Sequence, residues 1–296
     1  MLREALLTAI RGERVRRVMD ASPFTRDLAR RHIAGDDPDD ASAAVRAAAE
    51  LTAAGMLVTI ERLAREPAGA GRADAVVSAH LSVLERLGDR GLARGADLST
   101  GLVAMGLRQD EGLACDNVTR VCDAARAAGA TVTLGVEDGM GFEARMESTL
   151  SVRAALLKEH PSLGVVIPAQ LRRAEEYCRA LSSGRVRLCK GGYDASAYTA
   201  YPGRHEIDRS FVRCLKVLMA GPGYPVIATH DRRVTAIASA LAVLNEREPG
   251  SYEHQMPYGV RNAEQRRLVR LGAQLRIHVP YGDDWHGYLV RRLAYR

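Results

Sequence analysis

The chain has 296 residues, 47% of them hydrophobic and 26% charged, a globular balance that argues against disorder and suffices for a sizeable core. Its net charge of +6 and pI near 9.2 come from basic residues dispersed among 36 acids. That spread speaks against nucleic-acid binding and leaves peripheral contact with an acidic membrane surface open.

No run reaches the ~18 apolar residues of a membrane span. The five cysteines form no CxxC pair of a zinc site or disulfide framework. MLREALLTAIRGERVRR lacks the apolar core of a secretory signal. A cytoplasmic protein without a metal site is expected.

In chain order, EALLTAIRGERVRRVM reads as helix, AGDDPDDAS as a polar break, and AAVRAAAELTAAG as a second helix that Asp40 or Ser42 can cap. MLVTIERL follows as a β-branched strand, EPAGAGRADA as a loop, and VVSAHLSVLERLGDRG as an amphipathic helix. Then strand-like LSTGLVAM, ATVTLGVE, LGVVIPA, VRLCKG, YPVIATH, YEHQM and LRIHVPYG alternate with helical runs such as NVTRVCDAARAAG, RRAEEYCRALSSG and RRVTAIASALAVLNERE. With MLVTIERL this makes eight strands and predicts the α/β class: a closed (β/α)8 TIM-type barrel over residues 56–296, preceded by a helical segment over 1–55, all in one domain. No GxGxxG follows the first strand, against a dinucleotide-binding open sheet.

In such a barrel ligands bind at the C-terminal strand ends, where several informative residues fall. On VRLCKGGY, alternation puts Arg187 and Cys189 on one face and Leu188 and Lys190 on the other. Arg187 therefore points into the barrel if Cys189 does. Lys190 is one of three lysines beside 39 arginines, so composition does not place it there. A strand-end salt bridge, an anion or cofactor contact and a Schiff base are all open to it. Gly191 and Gly192 permit close backbone approach to a ligand, or simply a turn.

In WHGYLVRRL, Arg291 and Arg292 lie three and four residues from Tyr288 and share helical faces with it. A guanidinium fork suits a carboxylate, although two arginines in an Arg-rich chain also read as a solvated pair. Thr229 and His230 close the strand in PVIATHD, and HEIDRSF reads as a helix start with Asp208 near its first turn. All ten tyrosines and Trp285 fall after residue 176, so an aromatic-lined pocket draws on the C-terminal half.

Taken in order, VRLCKGGY, YPVIATH, YEHQMPYGV, RIHVPYG and YLVRRL resemble the proline dehydrogenases, most closely the short monofunctional bacterial kind. The resemblance implies a distorted (β/α)8 barrel that binds FAD noncovalently. It also implies hydride transfer from the carbon beside the ring nitrogen of L-proline to flavin N5, giving Δ1-pyrroline-5-carboxylate, with a quinone or oxygen as electron acceptor. By position, it implies Arg187 against N5, Lys190, Gly191, Gly192 and Tyr193 around the flavin and substrate edge, Thr229 and His230 on FAD, and Arg204 near its phosphates. Arg291 and Arg292 match the pair that grips proline's carboxylate, with Tyr288 and Tyr193 as pocket walls and His278 at a further substrate position.

The chain also departs from the family pattern. Gly101 stands for a substrate-site lysine, Gly135 for an aspartate, Pro168 for a flavin-binding glutamine, His278 for a tyrosine, Pro257 for a leucine and Tyr295 for a glutamate. The changes gather around the substrate while the carboxylate clamp stays, which points to proline or a bulkier proline-like amine, in specialised metabolism. Two alternatives stand beside this reading. One is a catalytically weak member acting as a binding or regulatory protein, and the other a non-redox barrel enzyme using Lys190 as a Schiff base.

Overall fold

The computed structural model describes residues 17–19, 21–35, 41–63, 70–136, 141–193, 195–282 and 284–294. The first predicted helix therefore lies mostly outside the described residues, as do Asp40 and Tyr295. Eight strands are paired in parallel in sequence order, and β8 returns to β1 to close a barrel. The strands are β1 (Leu57–Arg62), β2 (Asp97–Gly101), β3 (Thr131–Gly135), β4 (Gly164–Pro168), β5 (Arg185–Cys189), β6 (Tyr224–Ala228), β7 (Glu253–Pro257) and β8 (Leu275–Tyr281).

Helices α1 (Pro23–Arg30) and α2 (Ser42–Ala53) precede β1. Between the strands run α3 (Ala70–Gly88), α4 (Glu111–Ala128), α5 (Phe142–Leu156), α6 (Ala174–Ala180), α7 (Arg204–Ala220), α8 (Arg232–Leu244) and α9 (Asn262–Arg270), and α10 (Trp285–Ala294) follows β8. All eight strands expected from the sequence are present.

Period-two alternation explains why these segments are strands. Val58 and Ile60, Val132 and Leu134, Val165 and Ile167, Val186 and Leu188, and Ile277 and Val279 are all buried and point outward under the helices. Two apolar clusters result, one beneath α2, α3 and α4, the other beneath α5 to α8. Each such side chain contributes ~1.5–3 kcal/mol when fully buried.

Three local expectations are corrected. Ser42 does not cap α2: Ala41 holds the N-cap position without a side-chain bond, and the Ser42 hydroxyl accepts from Arg86 Nη1 at 2.7 Å. Residues 70–75 of the expected loop are helical, because the buried Ala73, Val76, Val77 and His80 already follow the i, i+3, i+4, i+7 spacing. Strand β2 ends at Gly101, so residues 102–105 leave the sheet in a turn.

The site end of the barrel is tied to the N-terminal segment. The Ala34 N–H donates to Pro280 O at 2.8 Å and the Gly282 N–H to Gly35 O at 2.9 Å. Gly282 has φ +115°, and a Cβ there would stand 2.6 Å from Leu63 O, so only glycine lets β8 leave the barrel this closely against β1.

Candidate active site

Barrel interiors are commonly filled with branched apolar side chains, but this lumen is charged. Arg276 forms a bidentate pair with Glu253, Nε to Oε1 at 2.6 Å and Nη2 to Oε2 at 3.0 Å. Arg185 also reaches Glu253 Oε1 at 2.9 Å, and the Tyr224 hydroxyl donates to Oε2 at 3.1 Å. Burial pushes the Glu253 carboxyl up, and the Arg276 and Arg185 guanidiniums more than reverse this, holding it below the usual range.

Arg187 lies nearer the lip. Its Nη2 donates to Asp97 Oδ2 at 2.8 Å and its Nη1 to Ser99 Oγ at 3.1 Å, across the lumen from β5 to β2. Thr59, Thr131 and Thr133 hydroxyls also donate to Asp97, at 2.9, 2.8 and 2.9 Å. Gln255 Nε2 donates to Thr59 at 2.9 Å, adding a strand to the network. Burial raises the Asp97 carboxyl; the charges of Arg185, Arg187 and Arg276 with the Thr131 bond bring it below its ordinary value. Arg187 Nε is buried without a hydrogen-bond partner.

Lys190 points the other way, as the alternation requires. Its Nζ lies 2.6 Å from Asp208 on α7 and 2.9 Å from Asp231, the N-cap of α8. This is the strand-end salt bridge, and it locks β5 to two helices. Asp208 falls beyond the first turn of α7, which starts at Arg204 with the Gly203 N–H donating to Glu206.

After Lys190 the chain turns through Gly191 and Gly192, at φ +108° and +124°. The Gln170 side chain fastens this turn: its Oε1 accepts from the Gly192 and Tyr193 N–H groups at 2.8 and 3.1 Å, and its Nε2 donates to Tyr193 O at 2.9 Å. A Cβ on Gly191 would meet Gln170 at 2.6 Å. The Tyr193 ring packs on Phe142, centroids 4.8 Å apart.

Thr229 is buried and accepts from the Asp231 N–H, whereas His230 and Arg204 are exposed on the same rim. On β8, His278 bonds Glu61 of β1 through Nε2, and its ring lies 6.3 Å from that of Tyr288 on α10. Arg291 and Arg292 follow on α10, and their side chains lie outside the described residues.

Known proteins match this chain in sequence and in fold. The sequence profile of the proline dehydrogenase family covers residues 44–294. Proline dehydrogenase 1 of Bacillus subtilis (strain 168) is 32% identical over 274 residues, 92% of this chain and 88% of that protein. The chain belongs to the proline dehydrogenase family.

Its relatives include proline dehydrogenase 2 of the same strain, 29% identical over 266 residues, 89% of this chain and 85% of that protein. In fold it is similar to proline utilization A (PutA) from Bdellovibrio bacteriovorus, solved after inactivation by N-propargylglycine, with a TM-score of 0.80 at 21% identity. That match covers 91% of this chain and 32% of PutA, so the chain spans about a third of the larger protein's length. As a family member, the chain is an oxidoreductase acting on a CH–NH bond.

The structure brings Arg187, Thr229, His278 and Tyr288 to the site end of one barrel, with the glycine turn at its rim, and turns Lys190 outward. It adds Asp97, Glu61, Gln170 and Glu253, which sequence reasoning passed over. Asp97 and Glu61 each carry a signal, an acid on a face of an otherwise apolar or hydroxylic strand. Gln170 carries none, since its partners are backbone groups of Gly192 and Tyr193, one helix and one strand further along the chain.

Proposed function

We propose that this chain is a FAD-dependent dehydrogenase of proline or a proline-like amino acid, oxidising the carbon beside the ring nitrogen to give an imine, Δ1-pyrroline-5-carboxylate in the case of proline. Arg187 carries the reading: a guanidinium fixed by Asp97 and Ser99 just below the lip, with a buried Nε that has no partner. A cation preorganised in a low-dielectric lumen stabilises negative charge that develops beside it. Bound FAD supplies the hydride acceptor.

The residues present suit a flavin. Arg187 offers an unused donor, and Gly191 and Gly192 hold a backbone turn without side chains to screen it. Thr229, His230 and Arg204 offer polar contacts on the same rim, and Lys190 would act from its pairs with Asp208 and Asp231. Arg291 and Arg292 would clamp the substrate carboxylate, with Tyr288 and Tyr193 as walls. Reducing equivalents would pass to a quinone or oxygen, and a cytoplasmic location with peripheral membrane contact fits the basic surface.

A specific pair of residues favours a substrate larger than proline. Gly101 and Gly135 are register partners at the C-terminal ends of β2 and β3, and neither has a positive φ. A Cβ on Gly135 would meet only Thr100 O, at 3.8 Å. The backbone requires glycine at neither position, and the missing side chain of Gly135 leaves room at the lip.

The test is a visible absorbance spectrum of the purified protein with and without added FAD, followed by anaerobic L-proline and then cyclic and N-substituted amino acids. Flavin bands that bleach with one of these substrates are expected. A protein that takes up no FAD would end the redox reading and favour a binding role.

A further inference from the structure

Resting on the reading of a cyclic amino acid as substrate, we infer that His278, held by Glu61, accepts the proton of the substrate's secondary ammonium group and that this pair recognises the ammonium. Both residues stand at inward positions. Thr59, two residues before Glu61, bonds Asp97 and Gln255 inside the lumen, and Arg276, two residues before His278, bonds Glu253 there. Alternation then puts Glu61 and His278 on the luminal face at the C-terminal end. The imidazole Nε2 and a Glu61 carboxylate oxygen are hydrogen-bonded, and the two side chains keep 17% and 34% of their surface exposed. They are sheltered yet open to the mouth.

Chemistry requires such a group. A secondary amino acid arrives as an ammonium, whose nitrogen has no lone pair, and a carbon–nitrogen double bond forms only after that nitrogen loses its proton. Among the described strand residues, the other inward positions at the lip, Gly101, Gly135, Pro168, Cys189, Ala228 and Pro257, include no carboxylate or imidazole. The Cys189 thiol is pushed up to about 11 by burial, so it does not serve as a thiolate base near neutral pH.

Around His278, β1 contributes Glu61, β7 contributes the uncharged Gln255 and Pro257, α10 contributes Tyr288, and Arg187 stands across the lumen. Glu61 fixes one ring nitrogen and stabilises the imidazolium that forms at the other, as a carboxylate does for a histidine base elsewhere. In the step one N–H bond of the substrate breaks, its electron pair stays on nitrogen, and one N–H bond forms on His278. No electron leaves the pair of reactants. His278 is the acceptor and Glu61 a positioning residue.

The test uses the flavin-loaded enzyme and the variants Glu61→Gln, Glu61→Asp and His278→Asn. Flavin reduction by L-proline in Glu61→Gln and His278→Asn is expected to fall ~10²–10⁴-fold at pH 7. The deficit should shrink as pH rises, because more substrate then arrives already deprotonated, and Glu61→Asp should restore part of the rate. A second readout needs no turnover. On the reduced enzyme, Glu61→Gln should weaken L-proline but leave unchanged the affinity of tetrahydrofuran-2-carboxylate, which carries oxygen in place of the ring nitrogen.

Equal weakening of both ligands, or a wild-type pH profile in Glu61→Gln and His278→Asn, would overturn the inference and leave the dehydrogenase reading intact. If L-proline fails to reduce the wild-type flavin while its binding still depends selectively on Glu61, the proline reading fails and the ammonium site stands.

Discussion

Arg187 on β5 and Asp97 on β2, strands that are not neighbours in the sheet, meet across the lumen at 2.8 Å. Both are nearly inaccessible, so each neutralises a charge that would otherwise sit uncompensated in the barrel. Asp97→Ala is expected to destabilise the fold by ~3–5 kcal/mol, the usual consequence of removing one member of a buried pair. It should also lower the rate of flavin reduction by loosening Arg187. Denaturant midpoints and single-turnover rates measure the two effects, and a stable, fully active Asp97→Ala protein would remove the pair from any role.

Two buried histidines set an acid limit above that of the carboxylates. His80 is held at about 4, against an ordinary 6.5, by burial and then by Arg62, with Glu61 opposing; burial alone holds His254 at about 4. The fold binds them neutral, whereas the unfolded chain protonates them below 6.5. Their contribution is therefore complete above pH 6.5 and falls as pH drops from 6.5 toward 4, by ~3 kcal/mol each.

Asp97 and Glu253 have lowered values, so the stability they contribute holds above their ordinary values of 3.8 and 4.5 and is lost as pH falls further. A two-stage acid loss is expected in urea midpoints measured from pH 7 to 3. His254→Leu should flatten the upper stage, because both its ring nitrogens are buried without partners.

Gly191→Ala combines a strained φ of +108° with a Cβ placed 2.6 Å from Gln170. A cost of ~1–3 kcal/mol is expected from the backbone alone, together with loss of the Gln170 bonds to the turn. The purified variant should carry less FAD than wild type, read as the ratio of flavin to protein absorbance. Unchanged loading would mean that this turn does not shape the cofactor site.

Gly135→Ala should behave in the opposite way. Its backbone is compatible with alanine and the added methyl meets nothing closer than 3.8 Å, so stability should rise by ~0.4–1 kcal/mol. Turnover of bulky or N-substituted amino acids should fall more than that of L-proline. Equal change for small and large substrates would show that the β2–β3 lip does not contact them.

The barrel was legible because its outward faces are apolar at every second position, from Val58 and Ile60 to Ile277 and Val279. The same alternation put Arg187 and Lys190 on opposite faces of β5, and the bonds to Asp97 and Asp208 show which of the two faces the lumen. What escaped was set by tertiary partners. Asp97 gains its meaning only when β2 and β5 face each other, and Glu61 only when β8 closes on β1. Composition misled where Ala and Gly dominate, as at residues 70–75, because their small side chains hide a helical period that buried packing makes plain.

The charged lumen has a consequence for how this chain could diverge. Asp97, Arg185, Arg187, Glu253 and Arg276 share partners, so a change at one strands a charge on another, and viable routes alter them together or not at all. Gly101, Gly135, Pro168 and Pro257 at the rim have no such obligations. Lineages of this fold should therefore explore new substrates through single steps at the rim while inheriting the lumen as a block, and a random library targeted to the rim should retain folded members far more often than one targeted to the lumen.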